Sequence, residues 1–286
     1  MKQGMLLFAK TYENTRTIWY NFPVEDVFWC DEKCAIVADW VTRDPIWLPD
    51  FSGVSLSDFI NNYPRPSWWA LAAEKAVQAF KDNFNVKLDD RLLVCNREIQ
   101  KLNDELNPGV DYLENDYFAT VVAAIEIEDL KMFYSYICDC GVIVYDNNWK
   151  IKFHTDDCKK MYSDKYIDKY MESKWLKWAS PQARFDIRKY FRNNIENIQN
   201  GNCVSYGCLT GEDNAKFFIR NWCVSLDVGD YIIVYSDGFS WFLHDEDFIN
   251  QIIHFNEKEL DSFIEIKSKS DYGKYWSEKT VVLFKI

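Results

Sequence analysis

Several kinds of chemistry lack their raw materials in this sequence. Of 286 residues only three are histidine, and His154, His244 and His254 show no metal-ligand spacing. There is no G-x-S-x-G turn and no Walker signature, which leaves a serine hydrolase or a nucleotide-binding enzyme without support. Basic residues are outnumbered 33 to 45, giving a net charge of −12. Nucleic acid is held by clustered Lys and Arg, so that partner is excluded. The opening MKQGMLLFAKTYENTR carries an apolar run too short for a signal peptide, and no later run approaches bilayer length. A soluble protein with no membrane contact is expected. Nine cysteines, an odd number without a secretion signal, point to free thiols in a reducing compartment, the cytoplasm. Cys138 and Cys140 form a C-x-C pair with no second pair at zinc spacing, so they read as buried structural thiols. No Pro/Gly/Ser-rich spacer, low-complexity tract or internal repeat divides the chain, and residues 1–286 are expected to form one domain.

What is present is aromatic and acidic. Phe, Trp and Tyr make up 17% of the chain, which favours extensive sheet packing. In Tyr231–Phe239, YIIVYSDGF, five β-favouring residues run into Ser236-Asp237-Gly238, predicting a buried strand with a carboxylate at its tip. Three further places repeat the relation: Glu25-Asp26 precedes VFWC, Asp39 follows AIVA, and Asp139 follows MFYSYI. Clustered carboxylates repel, and the remedies are protonation or a hard divalent cation. The turn Asp31-Glu32-Lys33 joins VFWC to CAIVADW as a hairpin, so Asp26 and Asp39 are expected to be neighbours.

Ser67 can cap a helix with Trp69, Ala72, Ala73, Ala76, Val77, Phe80 and Phe84 on one face. A second helix runs from about Asp89 with Leu92, Cys95, Ile99, Leu102 and Leu106 as its stripe. The runs ATVVAAIEIE, KMFYSYI, GVIVYD and WKIKF then read as an antiparallel meander, with Gly141 giving its second turn backbone freedom. Residues 154–202 read as a solvated helical flap with an aromatic underside, carrying Lys174, Lys177, Arg184, Arg188, Lys189 and Arg192. A short helix over 212–221, a strand pair turned at Val228-Gly229-Asp230, helices over 245–255 and 257–267, and a closing strand over 280–286 complete the pattern.

In this order the motifs resemble the metal-dependent (PPM, type-2C) serine/threonine protein phosphatases along nearly the whole chain. VEDVFWCDEKCAIVADW is similar to the family's ED-then-ADG hairpin, ICDCGVIVYD to its Gly-Asp motif, SYGCLTGEDNA to the segment before the last metal strand, YIIVYSDGF to SDG, and SEKTVVLFKI to Asp-(Asn/Asp)-x-Thr with its closing strand. The resemblance implies an α+β fold: a four-layer α/β/β/α sandwich of two antiparallel sheets flanked by helices. It also implies two Mn²⁺ or Mg²⁺ ions with a third, weaker site, metal positions at Glu25, Asp26, Asp39, Trp40, Asp139, Asp237, Gly238 and Glu278, and catalysis through Asp39, Asp237 and Asp26. The implied partner is a phosphorylated protein substrate, whose phosphate a metal-activated water would hydrolyse.

The sequence departs from the family at four places. Trp40 stands at the glycine of ADG, Ser277 at the terminal metal-binding Asp, Asn21 at the phosphate-holding arginine, and Cys138 at the glycine of Gly-Asp. Arg43 and Arg16 are the remaining candidates to hold substrate phosphate. Two readings follow: an active phosphoprotein phosphatase, or a phosphatase-fold protein with weakened catalysis that serves as a binding or scaffold module for a protein partner.

Overall fold

A computed structural model describes residues 4–15, 24–41, 67–112, 117–158, 164–176, 181–271 and 274–286, with Trp40, Pro181 and Arg184 described by their backbone alone. Arg16, Asn21, Arg43 and Lys177 lie outside the described residues. The chain opens with β1 (Met5–Tyr12), β2 (Val27–Cys30) and β3 (Cys34–Trp40), followed by α1 (Trp68–Asp82) and α2 (Leu88–Leu106). Next come β4 (Thr120–Glu128), β5 (Lys131–Tyr136), β6 (Gly141–Tyr145), β7 (Ile151–His154), α3 (Lys165–Ser173) and α4 (Pro181–Phe191). Short β8 (Ile198–Gln199) and β9 (Asn202–Cys203) precede β10 (Arg220–Ser225), β11 (Tyr231–Tyr235), α5 (Glu246–Ile253), α6 (Glu257–Ser270) and β12 (Lys279–Lys285).

Two antiparallel five-stranded sheets result, ordered β1-β12-β11-β6-β7 and β10-β5-β4-β3-β2. In β11 the alternation of side chains explains why the run shows no polar residues. Ile232 and Val234 enter the core between the sheets, while Tyr231, Ile233 and Tyr235 enter a second core beneath α5 and α6. On the opposite side, α1 and α2 bury Trp69, Ala72, Ala76, Phe80, Leu92, Cys95 and Ile99 against the other sheet. The Ser67 hydroxyl accepts from the Ala70 N–H at 3.4 Å, so the expected cap is in place. The layers are therefore helices, sheet, sheet, helices, as the resemblance implies.

Five expectations need correction. The four strands from 119 do not form one meander: β4 and β5 pair in one sheet, β6 and β7 in the other. Between them Cys138 adopts φ 70°, and the turn carries the chain from sheet to sheet. Gly141 is not among the residues with positive φ; what it supplies is space, because a Cβ there would lie 2.4 Å from the Tyr235 hydroxyl. β10 and β11 likewise belong to different sheets, so Val228-Gly229-Asp230 turns the chain between layers. Local periodicity reports a strand but not which sheet accepts it. The short helix is only a 3-10 turn over Asp213–Phe217, and β10 begins at Arg220. Finally, Arg188 and Arg192 of the flap are buried, each over the Tyr117 ring at 5.6 Å, and Arg192 donates to the Tyr117 hydroxyl at 2.7 Å.

Polar side chains on α2 fix the loop that leads to β10. The Asn103 amide donates to the Phe118 and Thr210 carbonyls at 3.0 and 2.8 Å and accepts from the Phe118 N–H at 2.8 Å. Asn96 accepts from the N–H groups of Thr210 and Gly211 and donates to the Glu212 carbonyl. Asn103 is fully buried, so replacing it with Leu strands three backbone groups away from water. Asn103→Leu should lower the unfolding free energy by roughly 2–5 kcal/mol in urea titration.

Candidate functional site

The strand registers bring the acids together in two pairs. In the β2–β3 ladder Val27 faces Ala38, and one step outward sets Asp26 beside Asp39. In the β11–β6 ladder Tyr235 faces Gly141, and two steps outward set Asp237 beside Asp139. The first pair ends strands of one sheet and the second pair ends strands of the other. They meet across the sandwich, where the Asp237 N–H donates to Asp39 Oδ2 at 3.4 Å. The Asp39 carbonyl is held from the other side by the Thr120 hydroxyl at 2.6 Å.

Burial and like charge act in the same direction here. Asp39 is 3% exposed; burial pushes its carboxyl well above the usual range, and the charges of Asp26, Asp237 and Asp139 push it further. Burial also raises Asp26, opposed by hydrogen bonds from Asp39 and Ser236. Asp26 Oδ2 accepts from the Ser236 hydroxyl at 2.6 Å, whereas its buried Oδ1 has no hydrogen-bond partner among the described residues. Such an orphaned carboxylate oxygen, beside Asp39 and Asp237, suits Mg²⁺ or Mn²⁺, which take oxygen ligands. Among the described residues no group of three or more His, Cys, Asp or Glu side chains is already arranged to hold an ion.

Glu25 and Glu278 each have one oxygen engaged by the chain itself. Glu25 is fully buried and its carboxylate accepts from the Ser67 hydroxyl at the start of α1. Glu278 Oε1 accepts both the Glu25 and the Asp26 backbone N–H groups, clamping the entry to β2. Burial raises the Glu278 carboxyl well above the usual range, with Asp26 adding to it. Gly238 lies against this clamp: a Cβ there would stand 1.9 Å from the Glu278 carbonyl oxygen and 3.2 Å from Ser277 Cβ. The glycine of SDG is thus a matter of space.

The sequence reading missed four contributors. Ser236 links the strands by donating to Asp26 and accepting the Thr280 N–H at 2.9 Å. Lys279 is fully buried, its ammonium has no hydrogen-bond partner among the described residues, and burial pulls it down to about 8 against the pull of Asp26 and Glu278. A lysine immediately before the run TVVLF was the available signal. Asp157 and Asp164, from the start of the flap, join Asp139, Asp237, Gly238 and Ser277 around an open cavity of about 210 Å³. Nothing in the periodicity near 157–164 connects these two with the strand tips.

Because no side chain fits between Gly238 and the β12 backbone, Gly238→Ala should displace Glu278 and release the 25–26 backbone. The expected result is a loss of about 1–3 kcal/mol in thermal or urea unfolding, together with loss of any stabilisation by added Mn²⁺.

No protein-family model matches this sequence, and none of the curated proteins matches it by sequence. Solved structures do match by shape. The Mycobacterium tuberculosis serine/threonine phosphatase PstP/Ppp superposes with a TM-score of 0.59 at 14% identity, covering 100% of this chain and 99% of that one. The catalytic domain of PstP in complex with two manganese ions gives 0.59, also at 14% identity, over 99% of this chain and 98% of that one. The S. agalactiae serine/threonine phosphatase gives 0.57 at 14%, over 99% of both chains. Their full-length correspondence, together with the two antiparallel sheets between helical layers seen here, shows that this chain has the PPM phosphatase fold.

Proposed function

We propose that this protein is a metal-dependent serine/threonine phosphoprotein phosphatase that hydrolyses phosphate monoesters. The observation that supports it most is the meeting of Asp39 and Asp237 across the two sheets, beside a buried Asp26 oxygen with no hydrogen-bond partner among the described residues. Asp39, Asp237 and Asp26 would hold Mn²⁺ or Mg²⁺, with Asp139 at the rim. When bound, such a cation lowers the pKa of a water and offsets charge developing on the phosphoryl oxygens. The chain's own part is to keep these carboxylates in place. Glu278 fixes the backbone that carries Asp26, Ser236 orients the Asp26 carboxyl, and Thr120 holds the backbone at Asp39. Glu25, which the resemblance counts as a metal position, is engaged by Ser67. The matching structures are those of serine/threonine phosphatases, one with manganese, and a phosphoprotein substrate comes to this chain by that likeness. Free thiols throughout the described chain fit a reducing compartment such as the cytoplasm.

The second reading, a binding or scaffold module with weakened catalysis, is favoured by the carboxyl end of the site. Ser277 lines the cavity where a carboxylate would be the stronger ligand, and Glu278 Oε1 is already taken by two backbone donors.

Asp39→Asn should abolish Mn²⁺ binding in calorimetry and with it a thermal stabilisation of about 2.7 kcal/mol at metal a hundredfold above Kd. Asp146→Asn should change neither, since Asp146 only accepts the Asn148 and Lys150 N–H groups in its own turn. Equal losses in the two variants would rule out Asp39 as a ligand. Ser277→Asp should tighten Mn²⁺ binding and raise p-nitrophenyl phosphate turnover together. Tighter binding without faster turnover would favour the scaffold reading.

A further inference from the structure

Beside the carboxylate site lies a second cavity, of about 360 Å³, that none of the chemistry above uses. Its walls include Cys138, Cys158, Ser205, Phe217, Phe218 and Arg220. Cys138 immediately precedes Asp139, so a single turn separates this cavity from the acidic one. The wall is largely apolar, and Phe217 is 62% exposed, an aromatic ring left in water at the mouth. Ser205 is the exception. It is 6% exposed, and its hydroxyl is buried with no hydrogen-bond partner among the described residues. A buried hydroxyl in that condition costs free energy unless something completes it.

The neighbouring strand supplies the direction of approach. Among the described residues β10 is the edge of its sheet, paired with β5 on one side only, and its residues are largely exposed, Trp222 at 72%. Register places Arg220 opposite Tyr136, so the Arg220 end of this edge points toward the 137–139 turn. An unpaired edge offers backbone donors and acceptors to an extended chain. Arg220 adds positive charge to a region otherwise dominated by carboxylates, which would repel a phosphorylated segment.

We propose that this cavity receives the side chain flanking the phosphorylated residue of an extended polypeptide substrate, and that the flanking side chain is apolar. The substrate lies along β10, its backbone completes the Ser205 hydroxyl, its flanking Leu- or Phe-like group fills the space against Phe217 and Phe218, and the phosphorylated residue passes the Cys138 turn to reach Asp139 and Asp237. This inference rests on the phosphatase reading for the word substrate, but the pocket's preference can be measured without turnover.

The test uses fluorescein-labelled decapeptides bearing a non-hydrolysable phosphonate analogue of phosphothreonine, with either Leu or Asp in the positions flanking it. Binding to the full chain in Mn²⁺ is read by fluorescence anisotropy. The Leu peptide should bind at least about tenfold more tightly than the Asp peptide. Phe217→Ala, a change at an exposed side chain, should remove that preference, and Ser205→Ala should weaken the Leu peptide several-fold. Equal affinity for the two peptides, or a preference that survives Phe217→Ala, would overturn the proposal. So would a Ser205→Ala protein that is more stable yet binds the Leu peptide unchanged, since the hydroxyl would then be a structural burden with no ligand. Turnover of p-nitrophenyl phosphate, which has no flanking residues, is measured in parallel on the wild-type chain. Its absence alongside an intact Leu preference would remove the phosphatase reading and leave a peptide-binding pocket. Turnover without the preference would do the reverse.

Discussion

Everything in the site depends on carboxylates placed where water cannot screen them. Asp26, Asp39 and Glu278 are all nearly inaccessible, and each is raised by burial with neighbouring acids acting in the same sense. Such a group can exist only if something compensates the charge, and two devices do so at once. Backbone N–H groups from residues 25 and 26 solvate Glu278, and Lys279 brings a buried ammonium nearby. The sandwich provides the rigidity this needs, since each acid is carried at or next to the end of a strand whose two faces are both packed.

Cross-sheet placement also explains why the two sheets must be in register with each other and not merely stacked. Asp39 belongs to a ladder with β2 and β4, Asp237 to one with β6 and β12, and they touch only where the strand tips meet. The contact between Gly238 and the Glu278 carbonyl draws β12 against the turn after β11 and keeps that meeting point fixed. Conformational cost appears at Cys138, a side-chain-bearing residue at φ 70°, where the chain leaves one sheet for the other.

Much of this was legible in the sequence. Strand tips ending in acids are a local signal, as is the Ser67 cap, and antiparallel pairing alone was enough to place Asp26 beside Asp39. Sheet membership was not legible: β5 and β6 are both buried runs separated by three residues, and nothing in either says that they lie in different layers. The family pattern placed Glu278 among metal positions, while the geometry shows its oxygen engaged by backbone, a role that depends on a main-chain approach no spacing reveals. Asp157 and Asp164 come from the flap, and Arg188 and Arg192 looked solvated until Tyr117, far away in sequence, covered them.

The position of β12 has a consequence for how the molecule acquires its shape. The strand lies between β1 and β11, with Met5 opposite Lys285 and Tyr12 opposite Lys279, so among the described residues the first strand has its one ladder neighbour in the last. Closing that pairing requires the longest loop the described chain can form, and such non-local pairing slows folding. Until β12 arrives, β1 has no ladder, β11 has an open edge, and the backbone at 25–26 lacks the carboxylate that holds it. The acids are therefore set in place by the last of the described strands, and the same pairing that completes the β1-β12-β11-β6-β7 sheet completes the site.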